Sequence, residues 1–399
     1  MSALATALVK LGHEVTGSDR TLSSPNVKRL ERIGIEVFPD DGSGVVPGID
    51  EIIVSTAIEP GHPALVKASE LGLGVTHRAK ALAEALSGRD LVAVAGTCGK
   101  STVTAMLSHI LAECGADPFC VNGANVPGWE GAVRFGSGRY AVAEVDESDK
   151  SLTAFRPYAA VITNASADHY SKDEMDAVFD AFIRDVPGPV LDAREGGEAC
   201  RRVCELADDP RIACRLKMPG RHNRVNAAIA VTMAALLGFG EDEAIAALST
   251  FAGVERRLQL HGGNVYDDYA HNPEKISAMW EALAESHPRG ICVIWRPHGF
   301  GPLRKLVEPL AKAFNSIIRP QDKLLLLPVY DAGGTADRGI GSVDLHRRII
   351  PGKSMLVDSH AEALDWCVVH HGEFEAFVTC GARDPDLPLL ASRIAQCTS

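Results

Sequence analysis

Residues 91–107, LVAVAGTCGKSTVTAML, run from an apolar strand through a glycine turn into a helical pattern. The first backbone N–H groups of such a helix have no partner inside it and point outward with the positive end of the helix dipole. Lys100 adds an ammonium beside them, so the stretch forms a cradle for phosphate anions. Ser101 follows, where a hydroxyl reaches a magnesium ion held by the same phosphates. A generic eight-residue phosphate loop (P-loop) has glycine where this chain has Val94. The match is therefore to a shorter form, Gly96-Thr97-x-Gly99-Lys100-Ser101. An ordinary strand-to-helix turn is the plainer alternative, but the glycine spacing and the Lys-Ser-Thr run favour a nucleoside triphosphate site.

Around this loop the chain is that of a globular protein. Its 399 residues, 46% of them hydrophobic, are enough for two or three domains. A net charge of −12 argues against a nucleic-acid or anionic-membrane surface. No apolar run of about 18 residues and no secretory leader pattern is present, so a cytoplasmic location is expected. Ten cysteines occur without a CxxC pair. Cys200 and Cys204 sit four apart on an expected helix face, so reduced thiols are the expectation rather than a metal site or disulfides.

The alternation of strand and helix patterns divides into three blocks. In residues 1–88, SALATALVKLG and SPNVKRLERIG read as helices, and HEVTGSD, IEVFP, EIIVSTAI and GVTHRA as strands. This βαβ patterning predicts a parallel sheet flanked by helices, with Asp19 at a strand end where a ribose hydroxyl is often met. Residues 89–258 begin with the phosphate loop. There RYAVAEVDESD and YAAVITNASADHY are apolar strands breaking into polar groups at their carboxyl ends, and KMPGRHNRVNAAIAVTMAALLGFG is a turn followed by a buried helix. Residues 259–399 alternate again, through GNVYDDYA, GICVIW, KLLLLPVY, SMLVD and EAFVTC, with a mobile loop expected near Gly333-Gly334.

Several residues have the chemistry that a phosphate loop needs. Glu144, Asp146, Glu147 and Asp149 lie where a strand ends, and magnesium takes hard oxygen ligands. Glu144, nearest the apolar strand, is the acid the scaffold fixes best, against the alternative of a solvated acidic loop. His169, after Asn164 and Asp168, is either a second metal ligand or a satisfied strand-end residue. Asn223 and Asn226 share a helix face, and their carboxamides either read a base edge or cap the helix. Arg256 and Arg257 offer guanidinium groups for a phosphoryl clamp or for solvent. The strand ending Asp267-Asp268-Tyr269-Ala270-His271 can meet a ribose or substrate.

Taken in order, GTCGKST, AEVDESD, TNASADH, GRHNRVNAA and DDYAHNP resemble the motifs of the Mur ligases, ATP-dependent amide-forming enzymes of peptidoglycan precursor synthesis. The resemblance runs through essentially the whole chain. Within the family, MSALATALVKLGHEVTGSD, VSTAI, RPHGFGPLRKL and VYDAGG are most similar to the alanine-adding branch, with the tripeptide-adding recycling branch as near relative. The fold implied is α/β in three domains. They are a Rossmann-like N-terminal, UDP-sugar-binding-like domain over 1–88 lacking its first strand and glycine turn, a central P-loop ATP-binding domain over 89–258, and a C-terminal Rossmann-like, amino-acid-binding domain over 259–399. The resemblance implies that Gly96, Thr97, Gly99, Lys100, Ser101 and Thr102 hold the ATP phosphates. It puts Ser101 and Glu144 on one Mg2+ and His169, 25 positions after Glu144, on a second. It also implies Asn223 and Asn226 on adenine, Arg257 on the γ-phosphate and Asp268 on the ATP ribose. The implied catalytic set is Lys100, Glu144, His169 and Arg257. The implied partners are UDP-N-acetylmuramate and an amino acid (L-alanine) or short peptide, joined through an acyl phosphate. A non-catalytic relative that binds ATP or a cell-wall precursor is the alternative from another class.

The chain departs from the family pattern in three places. No strand and glycine turn precede Met1-Ser2-Ala3, which read as the inside of the first helix, so a start assigned too late is the expectation. The stretch between His169 and His222 leaves little room for a small accessory sheet. Cys98 stands where the alanine-adding branch has histidine, and RPHGFGPLRK lacks polar side chains expected beside Arg304, which leaves the acceptor open.

Overall fold

The computed structural model describes residues 1–146, 151–165, 172–331 and 337–398. They fall into two compact units, Met1–Lys217 with Arg224–Gly253, and Met218–Asn223 with Val254–Ser399.

The first unit opens with the helix Ser2–Lys10, and then β1 (Thr16–Asp19) pairs in parallel with β2 (Glu36–Pro39) across the helix Pro25–Arg32. That helix starts where Ser24 Oγ accepts from the Val27 N–H and Pro25 presets φ. β3 (Glu51–Val54) pairs in parallel with β4 (Gly74–His77) across the helix Pro63–Glu70. The expected elements are all present, but they form two separate two-stranded sheets instead of one. Each pair closes on its own crossover helix, and among the described residues no strand lies between the pairs to join them.

A six-stranded sheet follows, built from β5 (Asp90–Ala95), β6 (Phe119–Val121), β7 (Val133–Arg134), β8 (Tyr140–Glu144), β9 (Ala159–Ile162) and β10 (Val190–Asp192). Its order is β10-β9-β5-β8-β6-β7, parallel except for the antiparallel β7. β5 is central and Leu91 to Ala95 are buried, which is why this strand reads as a continuous apolar run rather than an alternating one. The helix Lys100–Glu113 lies on the sheet with Val103, Met106, Leu107, Ile110 and Leu111 fully buried. Each large side chain of that face contributes about 2 kcal/mol of apolar burial. Residues 172–221 add only β10 to the sheet, together with the helices Lys172–Ile183, Glu198–Ala207 and Pro210–Arg215. Among the described residues no accessory sheet stands there. Cys200 and Cys204 are half-buried one turn apart on Glu198–Ala207, and all ten cysteines are free.

The sheet of the second unit has β11 (Gln259–Gly262), β12 (Val265–Asp268), β13 (Ile291–Trp295), β14 (Lys323–Leu326), β15 (Ser354–Leu356) and β16 (Ala376–Cys380), in the order β11-β12-β16-β13-β14-β15. All neighbours are parallel except the β11–β12 hairpin. Both faces are covered. Val293 and Trp295 pack with Trp280 and Phe314 on one side, while Cys292 and Ile294 pack with Leu325 and Ile394 on the other.

Beyond β16 the Asp384 carboxylate is 1% exposed and receives Arg296 Nη1 at 2.6 Å and His360 Nε2 at 2.9 Å. Burial alone would raise its pKa, but the hydrogen bonds from His360 and Arg296 outweigh that and hold it at about 2. A carboxyl depressed from 3.8 to about 2 gives stability that is complete above about pH 4 and is lost as pH falls through 2. Asp384→Asn is therefore expected to destabilise the protein at pH 7 and to flatten its loss of stability between pH 4 and 2. Denaturant unfolding across that range checks it.

Candidate active site

The phosphate loop leaves β5 at the carboxyl edge of its sheet, where open α/β sheets bind ligands. Gly96 has φ +129° and Gly99 φ +82°, both in the region that favours glycine. A Cβ at Gly96 would sit 2.1 Å from Thr163 Oγ1, and one at Gly99 would sit 2.5 Å from Asn226 Oδ1. Gly99 is the N-cap of the helix Lys100–Glu113 and has no side chain with which to cap it, and a helix N-terminus of this kind suits a phosphate. Lys100 Nζ donates to the Gly96 carbonyl at 2.6 Å, which holds the ammonium over the loop. Ser101 and Thr102 are buried beneath it.

The loop's shape is imposed from β9. Thr163 Oγ1 donates to the Cys98 carbonyl at 2.7 Å. Asn164 Oδ1 accepts from Thr97 Oγ1 at 2.6 Å and from the Cys98 N–H at 2.9 Å, while its Nδ2 donates to the Cys98 carbonyl at 3.0 Å. In the sequence Asn164 stands out only as a neighbour of His169. Its function as the loop's clamp is a tertiary fact, and the one sequence signal for it is a carboxamide at a strand end. Because backbone position is what a phosphate loop supplies, Asn164→Ala is expected to raise the KM for ATP by about tenfold or more. Stability should fall by only about 1–3 kcal/mol. ATP titrations and urea unfolding check the two halves.

Glu144 ends β8 and pairs in register with Val94, two residues before the loop. Its Oε2 accepts the Gly123 N–H at 2.8 Å, and a Cβ at Gly123 would lie 2.2 Å from that oxygen, so glycine is needed for the approach. Asp146 is instead paired with Arg78 at 3.2 Å. Glu147, Asp149, Asp168, His169 and the Gly333-Gly334 loop lie outside the described residues. Among the described residues no group of three His, Cys, Asp or Glu side chains is placed to hold a metal. Ser101 and Glu144 are nonetheless a hydroxyl and a carboxylate oxygen at one sheet edge, the hard donors that magnesium takes while keeping several waters.

Of the two asparagines on the helix Arg221–Leu236, Asn226 lies against the loop through Gly99. Asn223 is 2% exposed and its Nδ2 donates to the Pro219 carbonyl at 2.8 Å, which ties down the preceding turn. Asp19 accepts from the Thr21 N–H at 2.8 Å in a turn at the exposed end of β1.

In the second unit the two arginines separate. Arg256 is bound to the fully buried Asp267 at 2.9 Å and donates to the Gly381 carbonyl, so it is structural. Arg257 lies over the Tyr269 ring at 5.6 Å and makes no ion pair among the described residues. Asp268 is buried, which pushes its pKa up. Its Oδ2 accepts from the Leu258 N–H at 2.8 Å and its Oδ1 from the Ala270 N–H at 2.7 Å. Asp268 thus first of all ties the residue 256–270 backbone together.

Three family models match the chain. They are described as Mur ligase family, catalytic domain, over residues 1–90; Mur ligase middle domain, over residues 94–184; and Mur ligase, glutamate ligase domain, over residues 256–383. A UDP-N-acetylmuramate–L-alanine ligase of Allorhizobium ampelinum is 35% identical over 88% of this chain and 84% of its own length. That of Paenarthrobacter aurescens is 33% identical over 96% and 92%. Among solved structures, the UDP-N-acetylmuramate-alanine ligase of Thermotoga maritima superposes with a TM-score of 0.78 at 23% identity, over 99% of this chain and 96% of that one. A murein peptide ligase of Psychrobacter arcticus gives 0.65 at 21% identity, over 100% and 96%. At those identities the two structures speak to the fold, which is the three-domain α/β architecture expected above.

Proposed function

Because the chain belongs to the Mur ligase family, we propose that it is an ATP-dependent, ADP-forming ligase that joins L-alanine to the carboxylate of UDP-N-acetylmuramate in peptidoglycan precursor synthesis. A carboxylate is inert to amines at neutral pH because its oxygen is a poor leaving group. The substrate carboxylate attacks the γ-phosphorus of ATP, ADP departs, and the acyl phosphate that results is open to the amine. The amine attacks the acyl carbon, loses a proton and expels inorganic phosphate, leaving an amide.

The loop serves the first step. Its backbone N–H groups and Lys100 take up charge that spreads over the phosphoryl oxygens in the transition state. Ser101 and Glu144 carry the hard oxygen donors that magnesium takes and would hold one ion, and His169 would hold a second; bound there, the ions would neutralise two anions that must meet. In the same reading Asn223 and Asn226 contact adenine, Asp268 the ribose and Arg257 the γ-phosphate. A cytoplasmic site of action follows from the substrates, and among the described residues no helix is long and apolar enough to cross a membrane.

The observation that carries this reading is the register of Glu144 with Val94 beside a glycine loop clamped by Asn164. Release of ADP and phosphate is expected only when UDP-N-acetylmuramate and an amino acid are both present, with L-alanine preferred over the tripeptide. Equal ATP turnover without an acceptor, or ATP binding with no product from any acceptor, would refute it.

A further inference from the structure

In the sheet of the second unit, β12, β16 and β13 are consecutive, so three strand exits lie side by side. Tyr269-Ala270-His271 leaves β12, Arg296-Pro297-His298 leaves β13, and Gly381-Ala382-Arg383-Asp384 leaves β16 between them. The His271 and His298 rings stand edge to face with centroids 5.0 Å apart. His271 Nδ1 lies 3.0 Å from the Tyr269 carbonyl. A carbonyl oxygen only accepts, so Nδ1 carries the proton and the ring is fixed over the strand exit.

Arg383 holds φ +60°, a conformation that side chains with a Cβ avoid. Its neighbours impose it. The Gly381 N–H donates to the Asp268 carbonyl at 3.1 Å, and a Cβ on Gly381 would lie 2.7 Å from the Arg296 carbonyl. On the other side Asp384 is locked by Arg296 and His360, and its Oδ1 accepts the Asp386 N–H at 2.9 Å. Left-handed strain of this kind persists where the surroundings over-determine it, and it clusters where ligands are gripped.

Arg256 is the contrast within the same unit. It too is left-handed, with φ +59°, but its guanidinium is taken up by Asp267 and the Gly381 carbonyl. The Arg383 side chain is exposed and makes no hydrogen bond or ion pair among the described residues. Burial, then His271, then Arg383 push the His298 pKa down to about 4. At neutral pH His298 is therefore uncharged, and Arg383 supplies a permanent positive charge at this exit.

We propose that Arg383 grips the α-carboxylate of the acceptor amino acid, with His271 and His298 as the walls beside it. The assignment rests on the ligase reading above. A small acceptor amino acid carries two charged groups, and the amine must be left free to attack the acyl carbon. Its carboxylate is the handle that remains, and a planar guanidinium fork takes a carboxylate through two parallel hydrogen bonds. An acceptor without that carboxylate leaves the fork unpaired, which is a strong basis for rejection.

Arg383→Gly tests this in the full-length protein, because glycine accepts the left-handed φ and the fold is kept. The KM for L-alanine is expected to rise by roughly 30-fold or more, with the KM for ATP and the thermal midpoint unchanged or the midpoint raised. Arg383→Lys should lie between the two. The unaltered protein should prefer L-alanine to L-alaninamide by roughly a hundredfold, and Arg383→Gly should lose most of that preference. An L-alanine KM in Arg383→Gly within about twofold of the unaltered protein, or an undiminished preference over the amide, overturns the assignment. Absence of acceptor-dependent turnover in the unaltered protein overturns the ligase reading itself, a result distinguishable from the first because it needs no variant.

Discussion

Lys100→Ala is expected to lower kcat/KM for ATP by about a thousandfold or more while leaving the fold intact. The ammonium is the one side-chain cation that the loop itself provides, and it is held over the turn by the Gly96 carbonyl at 2.6 Å. Phosphoryl transfer asks little covalent chemistry of a protein and much positioned charge, so removing that cation removes stabilisation made mainly in the transition state. The bond to the Gly96 carbonyl that the folded state loses is worth about 1 kcal/mol. Lys100→Arg should rescue poorly, since a planar fork does not replace a compact ammonium in so tight a turn. Kinetics on protein with an unchanged unfolding midpoint make the test. Activity within tenfold of the unaltered chain would remove Lys100 from the reaction.

The second large effect is expected at Glu144. Glu144→Gln keeps an oxygen for the Gly123 N–H, now 2.8 Å from Oε2, and removes only the charge. Turnover should fall by about a hundredfold or more, and the magnesium concentration for half-maximal rate should rise. ATP binding measured without divalent ions should be unchanged. Gly123→Ala should imitate the loss, because its Cβ would fall 2.2 Å from the Glu144 carboxylate. If magnesium titrations of the Gln variant and the unaltered protein overlay, Glu144 does not act through the metal.

Much of this site is legible in the order of the amino acids alone. From Leu91 to Ala95 β5 is apolar at every position because both faces are covered, and the glycines that follow are needed where φ is positive. Glu144 is legible for a related reason, as the acid that ends a buried parallel strand. What escapes is either short or tertiary. β6 and β7 have three and two residues, too few to show a period, and β11 has an exposed leucine among polar neighbours. The Gly262-Gly263-Asn264 turn, left-handed at all three positions, is the signal that β11 does offer. Asn164 clamps Cys98 from 66 positions away, a pairing that only the sheet order creates. Asp268 shows the reverse case. Its position at a strand end is legible, but its bonds to Leu258 and Ala270 are not, and they give it a structural role besides any contact with a ribose.

The chemistry as a whole turns on a carboxylate being phosphorylated before the amide forms. UDP-N-acetylmuramate carrying 18O in its carboxylate, turned over with ATP and L-alanine, tests this most directly. One labelled oxygen should appear in each inorganic phosphate released, because the oxygen that attacks phosphorus leaves with it when the amine displaces phosphate. Phosphate free of the label, recovered alongside amide product, would contradict it.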